Sequence, residues 1–265
     1  MKVAVVTGAS SGIGRAIARH LGREGFRVVL GGRTRDLLEE TASEIRADGS
    51  DARALVVDVR RESDVESLVE TATSAFGPLD VLVNNAAVDY AGPAFEGDAE
   101  RWREMLETNV LAVLVGCREA VRAMAGRGGT IVNVSSLAAT GTTPGDAVYC
   151  ATKHAVNAFS ECLRAEIAGS GIRVLVVQPG QTMTSIGRHL PHARVQELAL
   201  ALGYDPATIP DFTGRHVPRE LAERVLRDRP DRFLAPDDVA RAVVRALATQ
   251  AETITIRPGE SEPGA

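Results

Sequence analysis

Near its start the chain runs from Lys2-Val-Ala-Val-Val6 straight into Thr7-Gly8-Ala9-Ser10-Ser11-Gly12-Ile13-Gly14, and Arg15-Ala-Ile-Ala-Arg-His-Leu21 then places apolar residues at helical spacing. A strand, a glycine turn and a helix in immediate succession leave few architectures open, because the helix must fold back closely over the strand it follows. Gly8 permits the tight turn, Gly12 lets the backbone approach a pyrophosphate, and Gly14 lets the helix pack on the sheet. Ser10, Ser11 and Ile13 share the loop, so phosphates would meet backbone N–H groups at a helix N-terminus. The order is the one a dinucleotide site demands.

The rest of the chain repeats the alternation. Candidate strands are Lys2–Val6, Arg27–Leu30, Arg53–Val57, Asp80–Val83, Thr130–Val134, Arg173–Val177 and Glu252–Ile256. Between them Leu37–Ala47, Glu62–Phe76, Glu100–Met124 and Ala155–Ala168 carry apolar residues at three- and four-residue steps. Seven strands alternating with helices predict an α/β, Rossmann-type, doubly wound parallel sheet covered on both faces. Ligands on such a sheet bind beyond the carboxyl ends of the strands. Thr7–Gly14, Asn84–Ala87, Ser135–Ser136 and Pro179–Gly180 all fall at such ends, so four motifs converge on one crevice.

Tyr149-Cys-Ala-Thr-Lys153 sets a phenol and an ammonium four residues apart at the start of a helix, with Ser136 thirteen residues upstream. Tyr-x-x-x-Lys occurs on many solvated helices, but 28 of the 30 basic residues here are arginine, and the lysines are Lys2 and Lys153 alone. A compact ammonium beside a phenol can depress its pKa as a planar guanidinium cannot. Moving a tyrosine from about 10 to about 7 takes roughly 4 kcal/mol of phenolate stabilisation. The chemistry that uses such a pair is proton transfer to or from an alcohol or carbonyl oxygen.

Composition narrows the remaining classes. Acidic residues number 35 against 30 basic, a formal charge of −5, and no basic block or aromatic-plus-Arg patch suggests nucleic acid. Cys117, Cys150 and Cys162 lack metal spacing and an even count, so reduced cytoplasmic thiols are expected and no metal site. Cys150, beside the tyrosine, reads as a small helix-filling residue. No apolar run is long enough for a signal peptide or a membrane span, so no membrane partner is expected.

In these motifs the chain resembles the short-chain dehydrogenase/reductases from Thr7 to about Pro258. Thr-Gly-x-x-x-Gly-x-Gly at 7–14 matches the family's cofactor loop, Asp58-Val59 its adenine contact, and Asn84-Asn85-Ala86 its sheet-stabilising motif. Asn109, Ser136, Tyr149 and Lys153 fall on its catalytic positions, and Pro179-Gly180, Thr182 and Thr184 on the nicotinamide side. Pro144-Gly-Asp-Ala-Val-Tyr149 and Ile254-Thr-Ile-Arg-Pro258 look closest to a branch of NADP-dependent serine/allo-threonine dehydrogenases and reductases of antibiotic aldehydes such as clavulanate aldehyde. The resemblance implies that Ser136 hydrogen-bonds a carbonyl oxygen and Tyr149 protonates it as hydride arrives. Lys153 would lower the tyrosine pKa and hold the ribose hydroxyls, and Asn109 would position a proton-relaying water. Family members preferring NAD usually carry an acid at the end of the second strand, whereas this chain reads Gly31-Gly32-Arg33-Thr34-Arg35. Arg33, with Thr34 or Arg35, can clamp a 2′-phosphate, so NADP(H) is the expected cofactor; Arg15 is a weaker candidate. Ala87 and Thr182 depart from the family pattern near the nicotinamide without removing a catalytic group.

One domain over residues 1–258 is expected, with a loose tail at 259–265 and a helical substrate lid at about 185–235. Val195, Leu198, Ala199 and Leu202, then Leu221, Ala222, Val225 and Leu226, give the lid its helical patterns. Its arginines and histidines hint at an anionic or polyhydroxylated substrate. Asp89, Tyr90 and Asp146 flank the pocket, and the acids read as solvated loop residues or as contacts for an amine or sugar hydroxyl. The leading expectation is NADPH-linked reduction of a ketone or aldehyde, with secondary metabolism as a setting. NADP-dependent oxidation of a hydroxy acid, sugar or amino-alcohol is the alternative, and a non-catalytic NADPH sensor the third reading. The resemblance also implies a homodimer or homotetramer assembled through helices at about 100–125 and 150–168.

Overall fold

A computed structural model of the chain describes residues 1–184, 199–200, 203–205 and 219–259. Its strands are β1 (Val3–Thr7), β2 (Arg27–Gly32), β3 (Ala52–Val56), β4 (Val81–Asn84), β5 (Gly129–Val134), β6 (Ile172–Pro179) and β7 (Thr253–Ile256). Every pairing is parallel, in the order β3-β2-β1-β4-β5-β6-β7. The seven-stranded, doubly wound sheet read from the alternation is the sheet observed, each strand displaced by no more than two residues at either end.

The helices are α1 (Gly12–Arg23), α2 (Arg35–Ala47), α3 (Glu62–Phe76), α4 (Ala99–Leu106), α5 (Ala112–Met124), α6 (Ala147–Glu166), α7 (Arg219–Asp228) and α8 (Pro236–Leu247). The two-residue period of a strand shows in β1, where all five residues are buried. Ala4 and Val6 face the core formed with Ile17 and Leu21 of α1, Ile45 of α2 and Val243 of α8. Val3 and Val5 face the other core, with Leu68 of α3, Cys117 of α5 and Val156 of α6. Both faces of the sheet are therefore sealed, as an all-parallel sheet requires.

Two expectations about elements need correction. Leu30 does not end β2: the strand continues through Gly31 and Gly32, because a Cβ on Gly31 would meet Leu68 Cδ1 of α3 at 2.7 Å. The glycines admit the helix and do not break the strand. The single helix expected over Glu100–Met124 is α4 and α5 joined by a π turn at Glu107–Leu111, in which the Ala112 N–H donates to the Glu107 carbonyl. The helix whose apolar period runs from Ala155 begins at Ala147, which puts Tyr149 and Lys153 at its start as their spacing predicts. Among the described residues no helix is long and apolar enough to cross a membrane.

Most of the segment expected to form a lid lies outside the described residues, as does the tail beyond Gly259. Within it, α7 coincides with the second helical pattern, and Val225 packs with Ala199, Tyr204 and Phe233 in a small cluster separate from the two main cores.

Candidate active site

The carboxyl ends of β1 and β4 are tied together before either reaches the crevice. Thr7 Oγ1 accepts hydrogen bonds from the Asn85 and Ala86 amides at 2.9 and 3.1 Å, and Asn85 Nδ2 donates to the Thr7 carbonyl at 2.9 Å. The helix that follows approaches this junction so closely that a Cβ on Gly14 would lie 2.4 Å from both Asn85 Nδ2 and the Gly8 carbonyl oxygen. Gly12, with φ +56°, opens α1 where a side chain would press on Thr184 at 3.2 Å. The bare N-terminus of α1 is thus a cradle that any larger residue would fill, which suits a pyrophosphate.

Gly8, Ser10, Ser11, Gly12 and Ile13 line one crevice with Arg33, Thr34, Asp58, Val59, Asn85, Ala86, Tyr149, Lys153 and Thr184. Gly32, Val57, Ala87, Val88, Thr108, Val134 and Ser135 complete the wall. Gly32, Ala87 and Ser135 belong to motifs already expected at the crevice, whereas Val57, Val88, Thr108 and Val134 are strand-end and helix residues without a chemical signature and were not expected as contacts. Gly14 lies behind the wall, where its role is the close packing just described. Pro179, Gly180 and Thr182 do not reach the wall. The Gly180 amide donates to the Ile256 carbonyl at 2.8 Å, and Thr182 pairs with Leu234, so the turn after β6 is spent on holding β7 and the segment before α8.

At the adenosine end Arg33 is half-exposed, with Nη1 3.4 Å from Glu104 Oε1. Arg15 is turned away from the crevice, donating to Glu40 and Glu44 of α2 at 2.7 and 2.6 Å, and Arg35 only opens α2. Asp58 accepts from Arg60 at 3.0 and 2.5 Å, and this pairing holds its carboxyl below the usual range. No carboxylate stands at position 32.

At the other end, Tyr149 sits in the first turn of α6, beside Ser136. Ser136 also caps the short turn after β5, accepting from the Ala138 amide at 3.1 Å. Lys153 is almost fully buried; Nζ donates to the Val134 carbonyl at 3.0 Å and lies 5.6 Å from the centre of the Tyr149 ring. Burial pushes this lysine down to about 8, against the pull of Asp89. Tyr149 is pushed up, by burial first and then by Asp89, with Ser136 opposing. Lys153 is not among the groups that shift the phenol, so the depression expected from it does not appear and Tyr149 keeps its proton.

Asn109 lies inside the π turn, fully buried. Its Oδ1 accepts from the Val88 amide at 2.9 Å, while Nδ2 donates to the Val88 carbonyl at 2.8 Å and to Thr152 Oγ1 at 3.2 Å. These bonds clamp the loop after β4 to α6. Beside that clamp, Asp89 is half-buried, not solvated. Its Oδ1 is sequestered with no hydrogen-bond partner, and burial followed by Asp146 pushes its carboxyl up to about 7.

A parallel sheet with a phosphate-ready turn at β1 and a Ser–Tyr–Lys group at β5 and α6 defines an NAD(P)(H)-dependent oxidoreductase. The chain belongs to the short chain dehydrogenase family, whose sequence model matches residues 2–194. It is 38% identical over 232 residues to a putative ketoacyl reductase of Streptomyces coelicolor, covering 84% of this chain and 88% of that one. It is 36% identical over 247 residues to a glycine betaine reductase of Emericella nidulans, covering 93% of this chain but 17% of that much longer protein. Among solved structures, an actinorhodin polyketide ketoreductase variant with NADPH superposes with a TM-score of 0.78 at 33% identity, covering 97% of this chain and 96% of that one. A short chain dehydrogenase/reductase from Burkholderia phymatum with NAD does so at 0.78 and 30% identity, covering 96% and 88%. The finer branch suggested by Pro144–Tyr149 and Ile254–Pro258 is not distinguished by these likenesses.

Proposed function

We propose that the protein is an NADPH-dependent reductase that converts a ketone or aldehyde to the alcohol, with Tyr149 as the proton donor. The observation that carries this reading is Tyr149 beside Lys153, whose Nζ lies 5.6 Å from the centre of the phenol ring, on the wall of a crevice that also holds a phosphate cradle. The bound nicotinamide would supply the hydride to the carbonyl carbon. Tyr149, with Ser136 beside it, would hold the carbonyl oxygen and polarise it. As the C=O π bond becomes a C–H and an O–H bond, Tyr149 gives its proton to the oxygen and the Lys153 ammonium stabilises the phenolate left behind. Asn109 keeps Val88 and Thr152 in register, so that the loop and helix flanking the reacting carbonyl stay in place.

Three observations support the finer parts of the reading. A phenol that keeps its proton is ready to act as the acid a reduction requires. Arg33 on the crevice wall, with glycine at position 32, favours a 2′-phosphate and hence NADPH. The complete proton-transfer group is more than a sensor of the cofactor would need. The likeness to proteins named as ketoreductases points the same way.

NADPH and NADH titrations by nicotinamide fluorescence, followed by loss of nicotinamide absorbance over a panel of ketones, aldehydes and keto-sugars, test the proposal. Tyr149→Phe is expected to abolish turnover while leaving the NADPH Kd within about threefold, since it removes one hydroxyl of the reacting group. A Phe variant that keeps most of the activity refutes Tyr149 as the donor.

A further inference from the structure

Glu104, on α4, is remote in sequence from everything it touches. Oε1 lies 3.4 Å from Arg33 Nη1 and 3.7 Å from Arg60 Nη1, while Oε2 accepts a 2.5 Å hydrogen bond from the Tyr90 hydroxyl. The side chain is 22% exposed, so it is fixed on the inner side of a half-open cluster. Arg60 also holds Asp58. Two guanidiniums, of which Arg33 lines the crevice, therefore meet two carboxylates, and the group as a whole is neutral. Tyr90 belongs to the loop after β4 whose Val88 is clamped by Asn109, and Arg101 packs over its ring at 5.4 Å. The carboxylate is anchored from the substrate side of the molecule while it faces the cofactor side.

We propose that Glu104 is a built-in competitor for the cofactor's 2′-phosphate: it recaptures Arg33 and Arg60 as the cofactor leaves, so its charge sets how tightly NADP(H), but not NAD(H), is held. The inference rests on the reading of Arg33 as the 2′-phosphate ligand. A half-exposed Arg–carboxylate contact at 3.4 Å is weak, so a phosphate dianion displaces it readily. Tyr90 and the helix backbone nevertheless keep the displaced carboxylate close, and like charge opposes the dianion there. Release of the spent cofactor is a common slow step in such enzymes, and a nearby competitor speeds it. Glu104 touches no reacting atom; it is a positioning residue acting through the arginines.

The test is the Kd of NADPH and of NADH, by nicotinamide fluorescence, for the full chain and its Glu104→Gln, Glu104→Asp and Arg33→Ala variants. Glu104→Gln keeps an acceptor for Tyr90 and loses the charge. It is expected to tighten NADPH by about three- to tenfold, the effect of removing one like charge near a dianion in a partly solvated site. NADH should be unchanged, the gain should shrink as salt is added, and Glu104→Asp should restore the wild-type value. A residue that merely supports α4 would weaken both cofactors when replaced. An NADPH Kd that is unchanged or raised in Glu104→Gln overturns the inference, as does an equal shift for NADH, or an Asp variant that behaves like Gln. Arg33→Ala separates the two levels. Equal losses of NADPH and NADH in that variant remove the 2′-phosphate reading itself, whereas a selective NADPH loss beside an unresponsive Glu104→Gln removes only the competitor.

Discussion

Replacing Asn109 with alanine should cost the fold more than any other single change at the site. The side chain is fully buried and spends both of its polar atoms on Val88, which is itself 3% exposed. Asn109→Ala strands the Val88 N–H and C=O together, and each orphaned buried group costs about 1–3 kcal/mol. Thr152 loses less, because its hydroxyl still donates to the Tyr149 carbonyl at 2.7 Å. The sum lies between about 2 and 6 kcal/mol, and a water entering the vacated volume would recover part of it, leaving about 3 kcal/mol. Urea unfolding followed by circular dichroism reads this as a lower midpoint at unchanged slope. Tyr149→Phe is the control: it removes one hydroxyl from a largely buried ring at the crevice wall and should stay within about 1 kcal/mol of wild type. If Asn109→Ala also lies within about 1 kcal/mol of wild type, the side chain is not the clamp its distances describe.

Asp89 gives the fold a pH dependence with a definite sign. Its carboxyl releases a proton near 3.8 in the unfolded chain and at about 7 in the folded one, so between those values the folded state alone keeps the proton and stability falls as pH rises. The full cost above pH 7 is at most about 4 kcal/mol, so Asp89→Asn should raise the Tm at pH 8 and leave it unchanged near pH 4; an equal Tm at pH 8 refutes the burial argument. Leu106 and Leu111, about half exposed, and Phe95, 88% exposed, line the stretch from the loop before α4 to the π turn, and fit the proposed association through this helical region. Light scattering at micromolar concentration should give a dimer or tetramer, and a monomer refutes that association.

Strands were legible because sealing a parallel sheet on both faces forces β-branched runs such as Val3–Val6 and Arg173–Val177 into the sequence. The start of α6 was legible from the Tyr149–Lys153 spacing and not from apolar periodicity, because Tyr149 and Lys153 serve the crevice and the apolar period begins only beyond them. The π turn is silent, since one extra residue between α4 and α5 merely shifts the phase of a pattern that remains helical on either side. Ser136, Tyr149 and Lys153 could be placed together because their chemistry is distinctive and each sits beside a recognisable element. Glu104 could not, since its meeting with Arg33 spans 71 positions and depends on how two helices and a loop are packed. Asn109 was found by its position in the motif order, but what its amide does depends on the backbone of Val88, and no residue type announces that.

The strand order also fixes a sequence of events during synthesis. β1 has β2 on one side and β4 on the other, so the sheet is laid down outward from the first strand made, first toward β3 and then toward β7. One side of β1 waits unpaired until Val81–Asn84 has been synthesised, and Thr7 has no amide to receive until Asn85 follows. From that point the β1–β4 junction can close, while Tyr149 and Lys153 are still more than sixty residues from being made. A ribosome-bound chain can therefore complete its phosphate-facing turn before its acid exists, and a chain stopped short of Asn85 would present β1 as an open edge to its neighbours.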